Sequence, residues 1–158
     1  MTIPDATPDA LIAALAPFAR RIATLDLAAP AAAQEALNLE FPVGSLGPVR
    51  DLLAAGRAAG WLTPKAATST LWFGRVAKPS DALCGLSLDA VDMQGEGAPH
   101  THPNGEVSLC FATEGDPRFQ GFPEGWVVAG AGSRHVPTVT GGRMTIVYFL
   151  PGGAMVWG

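Results

Sequence analysis

Apolar positions in the first third of the chain recur at three- and four-residue spacings. Leu11, Ile12, Leu15, Phe18, Ile22 and Leu25 fall on one stripe, the pattern of an amphipathic helix. Thr7, Pro8 and Asp9 supply its cap, its first-turn proline and its first-turn acid. Pro17 lacks the N–H the helical ladder needs, so a kink or two short helices are expected there. A second helical piece is predicted over 31–39. A third opens within 45–48, carries Val49, Leu52 and Leu53 on one side, and stops near Gly60. These stripes are expected to cover a barrel or to form a dimer contact, and they carry no candidate chemistry.

From Thr68 the texture changes to β-branched and aromatic residues punctuated by glycine and proline, the mark of short strands joined by turns. Strands are predicted over 70–76, 84–93, 106–113, 125–129, 138–140 and 144–149, with a short one over 154–157. No helices alternate with them and no internal repeat is visible, so the expected fold is mainly β: an antiparallel barrel or jelly roll behind an N-terminal α-helical extension. The expected division is 1–66 for the extension and 67–158 for the barrel.

Composition narrows the function classes. A chain of 158 residues with 48% hydrophobic and 15% charged positions suits one packed domain and not a disordered segment. Its formal charge of −4 and the lack of any Lys/Arg cluster argue against a nucleic-acid partner. No apolar run approaches the roughly 20 residues that span a bilayer, and residues 1–5 lack a basic leader region, so a soluble, cytoplasmic protein without a membrane partner is expected. Cys84 and Cys110 form no CxxC pair and are expected as reduced thiols. Cys110 shares the parity of Glu106, and a buried core thiol is the expectation.

The chemistry concentrates in Pro99-His100-Thr101-His102-Pro103-Asn104-Gly105-Glu106. In an extended strand, residues two apart face the same way, so His100 and His102 offer their rings to one point, and Glu106 shares that parity. Two imidazoles and a carboxylate suit a divalent Fe, Mn, Co, Ni or Zn ion while leaving positions open for substrate or water. A fourth ligand is expected from Gly130-Ala131-Gly132-Ser133-Arg134-His135, whose glycine-rich turn can swing His135 toward the same point. Arg75 and Arg118 are candidates for clamping a substrate carboxylate. Trp126 and Tyr148 are candidates for lining an aromatic-binding cavity, with Trp72 and Phe111 considered beside them.

The HxHxxxE and GxGxxH spacings resemble the two metal-binding motifs of the cupin superfamily. That resemblance assigns His100, His102, Glu106 and His135 as metal ligands, with Glu106 and His135 also the candidate catalytic groups. A narrower resemblance is carried by HPNGE (His102 to Glu106), Gly115-Asp116-Pro117-Arg118-Phe119, and the run Gly132-Ser133-Arg134-His135-Val136-Pro137-Thr138-Val139-Thr140-Gly141-Gly142-Arg143. It is to the 4-hydroxylaminobenzoate lyases of bacterial nitrobenzoate degradation and their relatives. It implies a metal-dependent lyase that turns an aryl hydroxylamine and water into a catechol, here 3,4-dihydroxybenzoate, and ammonia. The implied partner is a small aromatic substrate, and the cupin habit implies a homodimer. An Fe(II) dioxygenase of a small aromatic substrate and a non-catalytic small-molecule-binding cupin are the alternatives at this stage.

Overall fold

The computed structural model describes residues 5–158. Residues 1–4, which belong to the segment read as lacking a leader, lie outside them.

Among the described residues three α-helices come first: α1 Pro8–Ile22, α2 Pro30–Glu40 and α3 Gly47–Ala59, with a 3-10 turn, Val43–Ser45, leading into α3. The Thr7 side chain accepts from the Ala10 N–H at 3.1 Å and caps α1. A single α1 runs through Pro17, where two short helices were one of the expectations. Gly60, with φ 85°, closes α3 in the left-handed conformation that glycine adopts without a Cβ penalty.

Nine strands follow: β1 Lys65–Thr68, β2 Leu71–Ala77, β3 Leu86–Glu96, β4 His100–His102, β5 Glu106–Phe119, β6 Gly125–Ala129, β7 Ser133–His135, β8 Thr138–Pro151 and β9 Val156–Trp157. They form an antiparallel six-stranded sheet, in the order β1-β2-β3-β8-β5-β6, and an antiparallel three-stranded sheet, in the order β7-β4-β9. The mainly β, cupin-type architecture expected from the sequence is present. It is not a closed barrel, however. The free edge of β6 is occupied by α2: Asn38 Nδ2 donates to the Trp126 carbonyl and its Oδ1 accepts from the Trp126 N–H, both at 2.9 Å. Gln34 Oε1 accepts from the Val128 N–H at 2.9 Å. The helix therefore uses the hydrogen-bonding positions that a closing strand would need, and it shields the edge from further pairing.

Alternation along the strands splits the large sheet into two buried faces. Leu88, Ala90, Val107, Leu109, Val147 and Phe149 pack beneath Leu11, Leu15, Leu37 and Leu53 of the helices in one continuous core. The opposite parity, including Met93, Cys110, Met144 and Ile146, forms the inner face. The helices thus cover the sheet rather than stand apart from it.

Two predicted strands merge into β8, and β5 extends beyond its predicted end, because the glycines that read as turns mark a close crossing instead. Gly115 pairs with Gly142 beside a register shift in the β5–β8 ladder. A Cβ on Gly141 would stand 2.7 Å from the Asp116 carbonyl oxygen, so only glycine allows the two backbones to approach there.

Candidate metal centre

The strand β4 displays His100 and His102 on one face, and a turn closed by the Gly105 N–H donating to the His102 carbonyl (3.2 Å) delivers Glu106 at the start of β5. The turn after β6 is pinned by the Gly132 N–H donating to the His102 carbonyl at 2.8 Å and the Ser133 N–H donating to the Gly130 carbonyl at 3.0 Å. Those bonds lay β7 antiparallel to β4 with His135 opposite His100. One ligand atom from each of His100, His102, Glu106 and His135 then falls within 4.8 Å of the others. His135 Nε2 is 3.0 Å from Nε2 of both His102 and His100, and Glu106 Oε2 is 3.1 Å from His102 Nε2.

The electrostatics of the cluster favour a cation. Burial, then the neighbouring imidazoles His100 and His135, push His102 down to about 3. Burial and His100 push His135 down to about 4, and burial lowers His100. All three rings are therefore neutral near pH 7 and can offer lone pairs, so the His102–Glu106 contact is not an ion pair there. Burial raises the Glu106 carboxyl to about 7, opposed by the Ser108 hydroxyl, which donates to Oε1 at 3.0 Å, and reinforced by Asp89.

At His100 a neighbouring carbonyl fits the same reading. His100 Nδ1 lies 3.0 Å from the Ala98 carbonyl, which selects the tautomer protonated at Nδ1 and leaves Nε2 free to coordinate. Gln120 Oε1 accepts from the Thr138 N–H at 2.7 Å, so its Nε2 donates toward His135 Nδ1 at 3.3 Å, which favours the His135 tautomer protonated at Nε2. Three imidazole nitrogens and one carboxylate oxygen form a donor set suited to borderline divalent cations, so the residues fit a metal ion.

The cluster borders a cavity of about 300 Å³ between the two sheets, walled by Phe73, Phe119, Tyr148 and Trp157 and reached by Arg75 and His100. Arg75 Nε donates to Asp89 Oδ1 at 2.7 Å, and the Ser87 hydroxyl donates to Asp89 Oδ2 at 2.7 Å.

Two sequence candidates lie elsewhere. Arg118 is exposed, with Nη1 3.5 Å from the Gly121 carbonyl, and does not line the cavity; a register shift in the ladder separates it from the inner rows. Trp126 has the helix-facing parity, packs against Phe18, Phe41 and Phe149, and donates Nε1–H to the Phe41 carbonyl at 3.0 Å. Phe111 also packs in the helix-facing core, and Trp72 is 41% exposed. Cys110 is buried on the inner face, and its thiol is pushed well above the usual range by burial and by Glu106. Gln120 and Trp157 were not singled out from the sequence. Trp157 is placed by backbone pairing with His100, for which residue type gives no signal; Gln120, at φ 51° just before Gly121, reads as an ordinary turn residue.

The family model described as PnbB, 4-hydroxylaminobenzoate lyase, matches residues 14–157. The chain belongs to this family. The 4-hydroxylaminobenzoate lyase of Nocardioides sp. (strain LMS-CY) is 32% identical over 88 residues, which cover 50% of this chain and 52% of that protein. The match thus spans about half the length of that relative. Among solved structures, an RmlC-like cupin protein from Ralstonia eutropha JMP134 is similar at 15% identity and a TM-score of 0.43, covering 61% of this chain and 64% of that one. An acetylacetone dioxygenase from Acinetobacter johnsonii is similar at 9% identity and a TM-score of 0.42, covering 57% of this chain and 68% of that one. Among the described residues of this lyase-family chain, no helix is long and apolar enough to cross a membrane.

Proposed function

We propose that this protein is a metal-dependent lyase that converts 4-hydroxylaminobenzoate, or a close aryl hydroxylamine, and water into 3,4-dihydroxybenzoate and ammonia. The observation that carries the reading is the convergence of His100, His102, Glu106 and His135 beside an aromatic-lined cavity whose wall His100 and Glu106 join. Membership of the family supports the substrate class.

A divalent cation held by those four side chains supplies Lewis acidity at the hydroxylamine end of the substrate. The net reaction is redox-neutral. The N–O bond breaks and its oxygen leaves as water with the bonding pair. One water adds to the ring carbon beside the nitrogen-bearing carbon, which is then an imine. A second water hydrolyses that imine and releases ammonia, and loss of the ring proton restores the aromatic system, so one water is consumed overall and no oxidant is required.

The chain's own residues fix where this happens. Phe73 and Phe119 pack the ring and exclude bulk water. Arg75 holds the para carboxylate: Asp89 occupies Nε and Gly153 O accepts from Nη2 at 3.2 Å, leaving Nη1 directed by a guanidinium already locked in place. Glu106, which lines the cavity, and His135, 3.0 Å behind His100, are the catalytic groups in this reading.

The test is anaerobic incubation of protein loaded in turn with Fe(II), Mn(II), Co(II), Ni(II) and Zn(II) with 4-hydroxylaminobenzoate. Equimolar 3,4-dihydroxybenzoate and ammonia are expected with at least one ion. Substrate left unchanged by every loaded form overturns the reading, and turnover that needs O₂ moves the protein to the dioxygenases.

A further inference from the structure

The inner face of the large sheet carries one polar row. Arg75 pairs with Asp89 across β2 and β3, Asp89 with Tyr148 across β3 and β8, and Tyr148 with Ser108 across β8 and β5. At the usual spacing of about 4.8 Å between strands, Tyr148 stands one strand from each of its neighbours in the row. Ser108 bonds the metal-cluster carboxyl of Glu106, and Asp89 bonds Arg75, so Tyr148 lies midway between the metal end and the guanidinium end of the cavity.

Every other polar group of the row has a partner, whereas the Tyr148 hydroxyl makes no hydrogen bond to the described residues. It is also absent from the fully enclosed unpaired atoms, which are Asp92 Oδ1, His102 Nδ1 and Ser133 Oγ. The ring lines the cavity, so the hydroxyl is open to whatever fills it. Burial, then Asp89 and Glu106, raise its pKa well above the ordinary phenol range. Tyr148 is therefore a neutral donor standing between Asp89 and Ser108 in the row. A largely buried hydroxyl without a partner costs stability, and a phenylalanine would fill the same volume without that cost.

We propose that the Tyr148 hydroxyl is the specificity-determining donor to a ligand oxygen at the metal end of the cavity, so that it distinguishes aromatic acids with an oxygen substituent there from those without one. The inference rests on the aromatic-acid reading above and assigns the hydroxyl a positioning role, with no proton transfer. In that role it bonds the hydroxylamine oxygen of the substrate and a ring hydroxyl of the product.

The test compares Tyr148→Phe with the parent chain, both loaded with Zn(II), by calorimetric titration with 3,4-dihydroxybenzoate and with benzoate. The variant should bind 3,4-dihydroxybenzoate roughly 3- to 10-fold more weakly, the loss of one neutral hydrogen bond, and should bind benzoate with unchanged affinity. Its melting temperature should equal or exceed the parent's, which a structural role for the hydroxyl would not allow. Equal weakening for both acids, or no weakening for the dihydroxy acid, overturns the assignment and leaves the aromatic-acid reading standing. A parent chain that binds neither acid overturns that reading and this inference with it.

Discussion

Metal loading of this cluster should release few protons, with the largest share from one residue. Coordination requires deprotonated ligands, so the protons released per ion equal those the metal-free site carries at that pH. With Glu106 at about 7, its carboxyl carries about 0.9 proton at pH 6, 0.5 at pH 7 and 0.1 at pH 8. His102 at about 3 and His135 at about 4 carry almost none at pH 6. His100, lowered by burial, carries less than the roughly 0.75 of an unperturbed imidazole. The total expected at pH 6 is thus below about 1.7. Three unperturbed histidines with an ordinary carboxylate would release about 2.3. The sign follows: a raised Glu106 pKa weakens loading as pH falls below 7, and the apparent affinity should level off above about 8. Calorimetric titration with Zn(II) in two buffers of different ionisation enthalpy measures the release directly. Glu106→Gln should lower it at pH 6 to below about 0.75. A Gln variant that still releases about two protons would show that the imidazoles are charged before loading, and the electrostatic account of the site would be wrong.

Three further outcomes follow from the same geometry. His102→Ala removes a fully buried ligand 3.0 Å from His135 and 3.1 Å from Glu106, so elemental analysis should show bound metal reduced roughly tenfold or more; undiminished metal would place the ion elsewhere. Arg75→Lys keeps the charge but loses the fork that grips Asp89, and should raise KM for 4-hydroxylaminobenzoate on the order of tenfold, while Arg118→Lys changes it by less than about twofold; equal effects would refute the assignment of the carboxylate to Arg75. Asn38→Ala strips both partners from the Trp126 backbone at the β6 edge, which should cost about 2–4 kcal/mol and lower the melting temperature by roughly 5–15 °C; a shift under about 2 °C would mean that α2 does not seal that edge.

The parts of the site that were legible in the sequence are those decided by local geometry. Two-residue alternation puts His100 and His102 on one face wherever an extended segment forms, and a glycine-rich turn before His135 needs only to reverse the chain beside β4 for the fourth ligand to arrive. The misplaced residues are those whose role depends on which face of a sheet is covered by what. Trp126 and Tyr148 are both aromatic, strand-borne and flanked by apolar residues, and local pattern gives no reason to prefer one over the other. Because the helices bury the outer face of the sheet as fully as the cavity occupies the inner one, both parities read as apolar, and the alternation that would mark a half-solvated strand is erased. What separates the two residues is register: Trp126 pairs with Leu109 on the helix side, and Tyr148 pairs with Ser108 and Asp89 on the cavity side. Polar residues mark the inner face only where they connect to one another along a row, since Asp92 and Thr145 are buried on the helix side, Asp92 beside Arg57 of α3. Ser87, Asp89, Ser108 and Glu106 are all buried at one parity of two long strands, where Ser87 and Arg75 satisfy Asp89 and Ser108 satisfies Glu106, so that a connected polar set faces the cavity and the metal cluster.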